Sequence, residues 1–437
     1  MTIQQQLLSR LNDRTAQVGV IGLGYVGLPL AVEFAEAGFT VIGMDIAAEK
    51  VESINRGESY IIDIPSERLK PLVASGKLCA TTQYGDLKDA DSVSICVPTP
   101  LNAIKEPDMS YVIQAVEKIA EICHEGMLIV LESTAYPGAA EETILPRLAH
   151  NSFIVGENVF VAFSPERIDP GNPRFHLRNT PKVIGGVTPA CTEVTVALYR
   201  SAVDTIVPVS SPKTAEMVKL LENTFRSVNI ALVNEMAIMC NMLGVDVWEV
   251  IQAANSKPFG FMPFYPGPGV GGHCIPVDPL YLSWKMKTLH YNSRFIQLAS
   301  ETNAAMPEYV VNKVTDALND DGKAVRGAKI MVLGVAYKRD IDDVRESPAL
   351  DVLKLLKAKG AELSYHDPYV AKLHLEDGAV MNSAPFSLEL LQNSDCVVIA
   401  TGHGSIDYQQ VVDHAGLIVD TRHVIPPRTG KARVVLL

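Results

Sequence analysis

Gln17-Val-Gly-Val-Ile-Gly-Leu-Gly-Tyr-Val-Gly27 decides the fold. Gln17 to Ile21 is short and apolar, as a buried strand is. Gly22 ends it, and Leu28 to Ala37 reads as the helix that follows. Gly22, Gly24 and Gly27 have the dinucleotide spacing. The first glycine turns the chain, the second lets backbone approach a pyrophosphate, and the third packs helix on strand. A pyrophosphate placed there meets the unpaired N–H groups of a helix start. Phe39 to Asp45 is the next expected strand, and Asp45 ends it 23 residues after Gly22. Its carboxylate would accept from ribose hydroxyls and repel a 2′-phosphate. No Arg follows directly, so NAD is expected over NADP. A plain strand-end cap would read the same way.

Outward from this core, Ser92–Val97 and Met127–Leu131 are further apolar strands with helical stretches between. Such alternation implies a parallel, doubly wound sheet. Ligands of these sheets bind beyond the carboxyl ends of strands. Thr99, Ser133 and Thr134 therefore become candidate cofactor contacts. Glu166, Arg167 and Ile168 lie in the turn-rich run Phe163 to Gly171, and residues 1–15 read as a polar lead-in. From Pro212 to about Ala254 the apolar residues fall at helical spacing, predicting a long helix or helix pair. It would connect two domains, and its apolar surplus suits a dimer surface. Lys219, Asn223 and Arg226 share one face of it at i, i+4 and i+7. A second alternating region starts at Ala328, with strands at 329–335, 362–367, 395–400 and 417–420 and a helix at 348–359. The expected architecture is α/β, two Rossmann-like doubly wound domains joined by a long central helical region. The expected bounds are 1–208, 209–318 and 319–437.

Between Lys257 and Pro279 stand five glycines and six prolines in 23 residues. No helix or strand interior tolerates that. Phe259, Phe261, Phe264 and Tyr265 are expected to bury and hold the loop. Glycine lets backbone approach a ligand closely, and Cys274, after His273 and before Asp278, is a candidate covalent nucleophile. An inert packed thiol is the ordinary alternative. In Tyr337 to Pro348, Lys338, Arg339 and Arg345 would suit phosphate, with Asp340, Asp342 and Asp343 able to hold them. A salt-bridged surface loop would look alike.

The 437 residues are 47% hydrophobic and 20% charged with net charge -12. That balance argues against general attraction to nucleic acid or anionic membrane. Met1 to Arg10 is polar with no apolar h-region after it, so a cytoplasmic protein is expected. Seven cysteines without CxxC spacing predict thiols and no metal site.

Glu222-Asn-Thr-Phe-Arg-Ser-Val-Asn-Ile-Ala-Leu-Val-Asn-Glu235, Pro266 to Tyr281 and Tyr337 to Pro348 together resemble the nucleotide-sugar 6-dehydrogenases, the family of UDP-glucose dehydrogenase. The likeness covers essentially the whole chain. His273 and Val277-Asp278 stand where the UDP-glucose enzymes usually carry Ser and Lys-Asp. The chain is therefore most similar to the UDP-N-acetylhexosamine branch, with the N-acetylglucosamine nucleotide expected. The resemblance implies a four-electron oxidation at C6 through a thiohemiacetal and a thioester on Cys274, feeding surface polysaccharide such as lipopolysaccharide O-antigen. It implies that Lys219 stabilises oxyanions, that Asn223, Thr134 and Asp278 bind or activate water, and that Glu166 aids hydrolysis and substrate placement. Arg167, Ile168, Arg226, Tyr265, Gly267 and Gly271 would join the sugar-nucleotide site, with Lys338 and Arg345 at its phosphates or reacting end. Tyr25, Val26, Lys50 and Arg345 would join the cofactor site. A homodimer or higher homo-oligomer is implied. A UDP-glucose enzyme and a two-electron hydroxyacid dehydrogenase are the competing readings. Cys274 and residues 328–437 argue against the latter, and the set Lys219, Asn223, Cys274 and Asp278 against a silent NAD-binding scaffold.

Overall fold

The computed structural model describes residues 1–437 apart from 62, 103–104, 150–152, 170, 376–377 and 426–429. Pro170, inside the run Phe163 to Gly171, therefore lies outside the described residues. The rest forms two compact units, Met1–Glu222 with Leu280–His290, and Asn223–Pro279 with Tyr291–Leu437.

The first unit is built on strands β1 (Gln17–Ile21), β2 (Thr40–Met44), β3 (Leu78–Thr81), β4 (Ser92–Ile95), β5 (Leu128–Leu131), β6 (Phe160–Phe163), β7 (Lys182–Gly186) and β8 (Ile206–Val209). Their order in the sheet is β3-β2-β1-β4-β5-β6-β7-β8. The first six run parallel, and β7 turns antiparallel to β6 with Phe163 opposite Gly185. This is the strand order of a dinucleotide-binding sheet with a reversed pair added. The sequence pattern predicts no strand at β3 or at β6 to β8. Helices α1 (Ile3–Asn12), α2 (Gly27–Glu36), α3 (Ala48–Asn55), α4 (Ser66–Ala74), α5 (Ser110–Ile122), α6 (Ala139–Leu148) and α7 (Pro189–Tyr199) accompany the strands.

Helix α1 corrects the expected polar lead-in. Thr2 accepts from the Gln5 amide while the Gln5 side chain accepts from the Thr2 amide, a capping box. Leu7 and Leu11, one turn apart, are buried in the core cluster that holds Val194 and Leu198 of α7. Ile3 and Leu8 pack partly buried against the same cluster, so four apolar residues dock a short helix that is polar elsewhere.

Helix α8 (Pro212–Leu243) is a single 32-residue helix, followed by α9 (Val247–Asn255), α10 (Asp278–Thr288) and α11 (Arg294–Asp320). The region from 212 to 254 is thus a helix pair, divided at Gly244, whose φ is +69°. The second unit carries β9 (Lys329–Leu333), β10 (Glu362–His366), the hairpin β11 (Lys372–His374) and β12 (Val380–Asn382), β13 (Cys396–Ile399), β14 (Leu417–Asp420) and β15 (Arg433–Leu436). A parallel sheet ordered β10-β9-β13-β14-β15 forms its centre, flanked by α12 (Pro348–Ala358), α13 (Leu388–Gln392) and α14 (Tyr408–His414). Buried apolar residues on the two sides of this sheet, such as Val332 and Met331, belong to separate clusters, as a doubly wound sheet requires. Among the described residues no helix is long and apolar enough to cross a membrane.

Candidate functional site

The β1–α2 turn fits a dinucleotide by three different glycine geometries. Gly22 has φ +87°, and a Cβ there would stand 2.7 Å from the Cys96 carbonyl oxygen. At Gly27 a Cβ would stand 1.8 Å from the Gly22 oxygen, which forces strand and helix together. In front of Gly24, its chain neighbours aside, no atom of the described residues lies within 4 Å of a Cβ position. The open glycine is the middle one, where a pyrophosphate needs room. Tyr25 is partly exposed, and Val26 is the residue before α2. Asp45 follows β2. Its Oδ2 accepts from the Leu23 amide at 2.9 Å and lies 3.3 Å from Lys50 Nζ, while Oδ1 accepts from the Ala47 amide. The carboxylate therefore caps the strand end and also presents charge beside the turn. Ser133 donates to the Val97 carbonyl at 2.7 Å, and Tyr281 of α10 donates to the Thr99 carbonyl at 2.8 Å, joining the turns after β4 and β5.

Still within the first unit, three residues of α8 reach strand-end turns. Glu216 accepts from the amides of Gly138 and Ala140 at the start of α6. Burial pushes its carboxyl up to about 7, although the two amides pull the other way. One turn on, Lys219 is buried and donates to Thr134 Oγ1. Glu222 pairs with Arg167, whose Nε and Nη2 donate to its two oxygens at 3.1 and 2.5 Å. Glu166 is more deeply held. Its Oε1 accepts from the amides of Arg167 and Ile168, and its Oε2 from Lys182 Nζ at 2.9 Å. Lys182 also meets Glu132 Oε2 at 2.5 Å, and the Tyr199 hydroxyl donates to Glu132 Oε1.

In the second unit Asn223 Nδ2 donates to Asp278 Oδ2 at 2.6 Å. Asp278 is 1% exposed, opens α10, and donates its amide to the Cys274 carbonyl at 2.8 Å. The half-buried Cys274 thus sits on the turn leading into α10, one helical turn ahead of a buried carboxylate that Asn223 orients. Beside the cysteine, His273 Nε2 lies 3.1 Å from Asp343 Oδ2, and Arg345 Nη2 donates to the same oxygen at 2.6 Å. Burial would raise the Asp343 carboxyl, but His273 and Arg345 hold it well below the usual carboxylate range. The arm from Tyr337 to Pro348 is pinned again at Asp340, whose φ is +60°. Its amide donates to Nδ1 of the fully buried His403 at 2.9 Å, and His403 Nε2 lies 3.0 Å from Asp367 Oδ2. Nδ1 must accept, so the ring proton is on Nε2. Lys338 is half-buried on this arm, and Arg345 and Arg226 are exposed.

One reading of the glycine–proline loop needs correction. Phe259, Phe261 and Tyr265 are exposed in this chain rather than buried. Only Phe264 joins a core cluster, edge-on to Phe225 at 5.7 Å, while Tyr265 stacks on Trp248 at 5.8 Å. The loop is instead held by close backbone approach. A Cβ at Gly271 would meet the Glu346 oxygen at 2.6 Å, one at Gly272 the Tyr337 ring at 2.8 Å, and one at Gly267 the Arg422 guanidinium at 2.5 Å. The Gly272 amide donates to the Arg345 carbonyl, and the Gly267 amide to Asn234 Oδ1. At these three positions the missing Cβ is what lets the loop pack this closely. Sequence reading also missed Glu132, Lys182, Glu216, Glu222 and His403. A lysine opening the apolar run Lys182-Val-Ile was the one local signal available.

Residues 16–203 match the NAD-binding domain of the UDP-glucose/GDP-mannose dehydrogenase family, 213–305 its central domain, and 331–427 its UDP-binding domain. A UDP-N-acetyl-D-mannosamine dehydrogenase from Pyrococcus horikoshii is 38% identical, over 94% of this chain and 97% of its own. A UDP-N-acetyl-D-glucosamine 6-dehydrogenase from Salmonella typhi is 34% identical, over 96% and 98%. The solved structure of a UDP-D-ManNAc dehydrogenase from Pyrococcus horikoshii superposes with TM-score 0.87 at 36% identity, covering 96% of this chain and 99% of that one. Both sugar names occur at similar identity, so the expected preference for the N-acetylglucosamine nucleotide is not distinguished from its mannosamine counterpart. The three matched domains, in order along the chain, place it in the UDP-glucose/GDP-mannose dehydrogenase family, as an NAD-dependent dehydrogenase of the UDP-N-acetylhexosamine kind.

Proposed function

We propose that this chain oxidises the C6 hydroxyl of a UDP-N-acetylhexosamine to a carboxylate in two stages, with Cys274 as the covalent nucleophile. The observation that carries the reading is the Asn223–Asp278 hydrogen bond of 2.6 Å, on a 1% exposed carboxylate four residues beyond Cys274. When bound, NAD accepts the hydride of each oxidation. Between the stages Cys274 Sγ adds to the C6 aldehyde, and the thiohemiacetal keeps the intermediate from escaping. After the second, water adds to the thioester carbonyl, the C–S bond breaks, and the thiol is restored. Asp278, oriented by Asn223, holds that water. Lys219, fixed on Thr134, supplies positive charge to the developing oxyanions, and Glu166 aids hydrolysis and substrate placement. Arg167, Ile168, Arg226, Tyr265, Gly267, Gly271, Lys338 and Arg345 receive the sugar nucleotide. Gly22, Gly24, Tyr25, Val26, Gly27, Asp45, Lys50, Thr99, Ser133, Thr134 and Arg345 receive the cofactor.

The N-acetylglucosamine nucleotide is the first substrate to test and the N-acetylmannosamine nucleotide the second, as precursors for a polysaccharide. The functional division proposed is 1–208, 209–318 and 319–437. Leu221, Phe225, Leu232, Met239 and Met242 stand exposed along α8. A second copy of the chain would cover such a stripe, and a single-chain mass in sedimentation would remove that proposal. The decisive experiment counts NADH formed per sugar nucleotide consumed. Two is expected, and one would exclude the four-electron route.

A further inference from the structure

Lys182 is the first residue of β7, and β7 runs antiparallel to β6. The reversal carries it to the end of the sheet where β4, β5 and β6 finish. There the ammonium meets Glu132 from the turn after β5 and Glu166 from the turn after β6, at 2.5 and 2.9 Å. The side chains of Lys182, Glu132 and Glu166 are 3%, 0% and 8% exposed. The other groups facing the cluster are the Tyr199 hydroxyl from α7, Ser94 of β4 at 3.2 Å from that hydroxyl, and the buried Cys96 thiol after β4. Arg167 points its guanidinium to Glu222 instead.

Two carboxylates thus share one ammonium out of water. Burial and the neighbouring Glu166 charge push the Glu132 carboxyl up, against the pull of Lys182. Burial acts on Glu166 too, but Lys182 and the amides of Arg167 and Ile168 more than offset it and leave its carboxyl lowered. A buried ion pair seldom adds stability over packed apolar groups. Its presence at the ligand end of the sheet calls for another reason.

We propose that Lys182 is a positioning residue for the oxidation. It fixes Glu166 as an ionised carboxylate with both oxygens committed, and through the adjoining Arg167 it sets the grip on Glu222 of α8, three residues from Lys219. The inference rests on the reading that Glu166 serves the reaction. The chain of contacts runs Lys182, Glu166, Arg167, Glu222, with every link inside the first unit.

Lys182→Met alone would leave two buried carboxylates without a counter-charge, which is strongly destabilising. The double variant Lys182→Met/Glu132→Gln removes one charge of each sign and leaves Glu166 without its ammonium. It is to be compared with wild type in melting, NAD affinity, KM and the pH profile of kcat, using whichever UDP-N-acetylhexosamine wild type turns over. The expected result is a folded protein whose NAD Kd is within about two-fold of wild type. Its kcat should fall on the order of 10²-fold, and the acid limb of kcat should move up by about one pH unit or more. A folded double variant with wild-type kcat and acid limb overturns the proposal. Glu166→Gln, measured alongside, separates the two claims. If it is impaired while the double variant is not, only the role of Lys182 falls. If it behaves as wild type, the role of Glu166 falls and this inference with it. Should the double variant not fold, Lys182→Arg keeps the charge and moves the donors. A lowered kcat at unchanged NAD affinity then supports the proposal, and an unchanged kcat overturns it.

Discussion

Replacing each fingerprint glycine by alanine should give three different outcomes. At Gly27 the new methyl would stand 1.8 Å from the Gly22 oxygen and 3.3 Å from Cys96 Cβ, so strand and helix must part. Overpacking of this kind costs about 1–3 kcal/mol. At about 2–4 °C per kcal/mol for a domain of this size, Gly27→Ala should melt roughly 2–12 °C lower. Gly22→Ala adds a left-handed backbone at φ +87° to a 2.7 Å contact, with about 1–2 kcal/mol from the backbone alone. Beyond its chain neighbours Gly24→Ala meets nothing within 4 Å among the described residues, and its φ is not left-handed. Its melting temperature should hold or rise slightly, because alanine restricts the unfolded chain by about 0.4–1 kcal/mol. The methyl would nevertheless fill the space a pyrophosphate uses. NAD Kd should weaken about ten-fold or more, equivalent to about 1.4 kcal/mol. Calorimetric melting and NAD titration on the three variants decide the matter. A Gly24→Ala protein that melts as low as Gly27→Ala, or binds NAD as wild type does, refutes the reasoning.

Two other perturbations test separate parts of the molecule. Cys274→Ala should abolish acid formation and leave NAD affinity within about two-fold of wild type; loss of NAD binding would refute the role given to the thiol. Glu216, with its carboxyl lifted to about 7 by burial, keeps a proton in the folded chain over a range where the unfolded chain has lost it. Stability from this group is therefore full below the ordinary Glu value of about 4.3 and declines as pH rises to about 7. Glu216→Gln should flatten that decline, seen as a smaller drop in Tm between pH 5 and pH 7.5 measured on the purified protein. An unchanged slope would refute the assignment.

What was legible in the sequence was local. Strand, glycine turn and helix around Gly22 to Gly27 lie within a few residues of one another, and hydrophobic period exposed them. The Asn223–Asp278 pair was legible only as two suspects 55 residues apart. Lys182 was not legible as a site residue. Its partners Glu132 and Glu166 lie 50 and 16 residues away, and only the reversal of β7 brings them together. The aromatic residues at 259, 261 and 265 misled because apolar character predicts burial of a side chain somewhere, and not within this one chain. Thr2 and Gln5 offered a helix start that a polar composition concealed.

His403 has a spectroscopic consequence. Its Nδ1 accepts from the backbone of the Tyr337 to Pro348 arm, and its Nε2 proton faces Asp367 with the ring fully buried. A buried imidazole proton held by a carboxylate exchanges slowly with solvent, because exchange requires local opening. One nitrogen-15 resonance therefore serves as a built-in gauge, reporting whether the arm that carries Lys338 and Arg345 is docked without any probe attached to it.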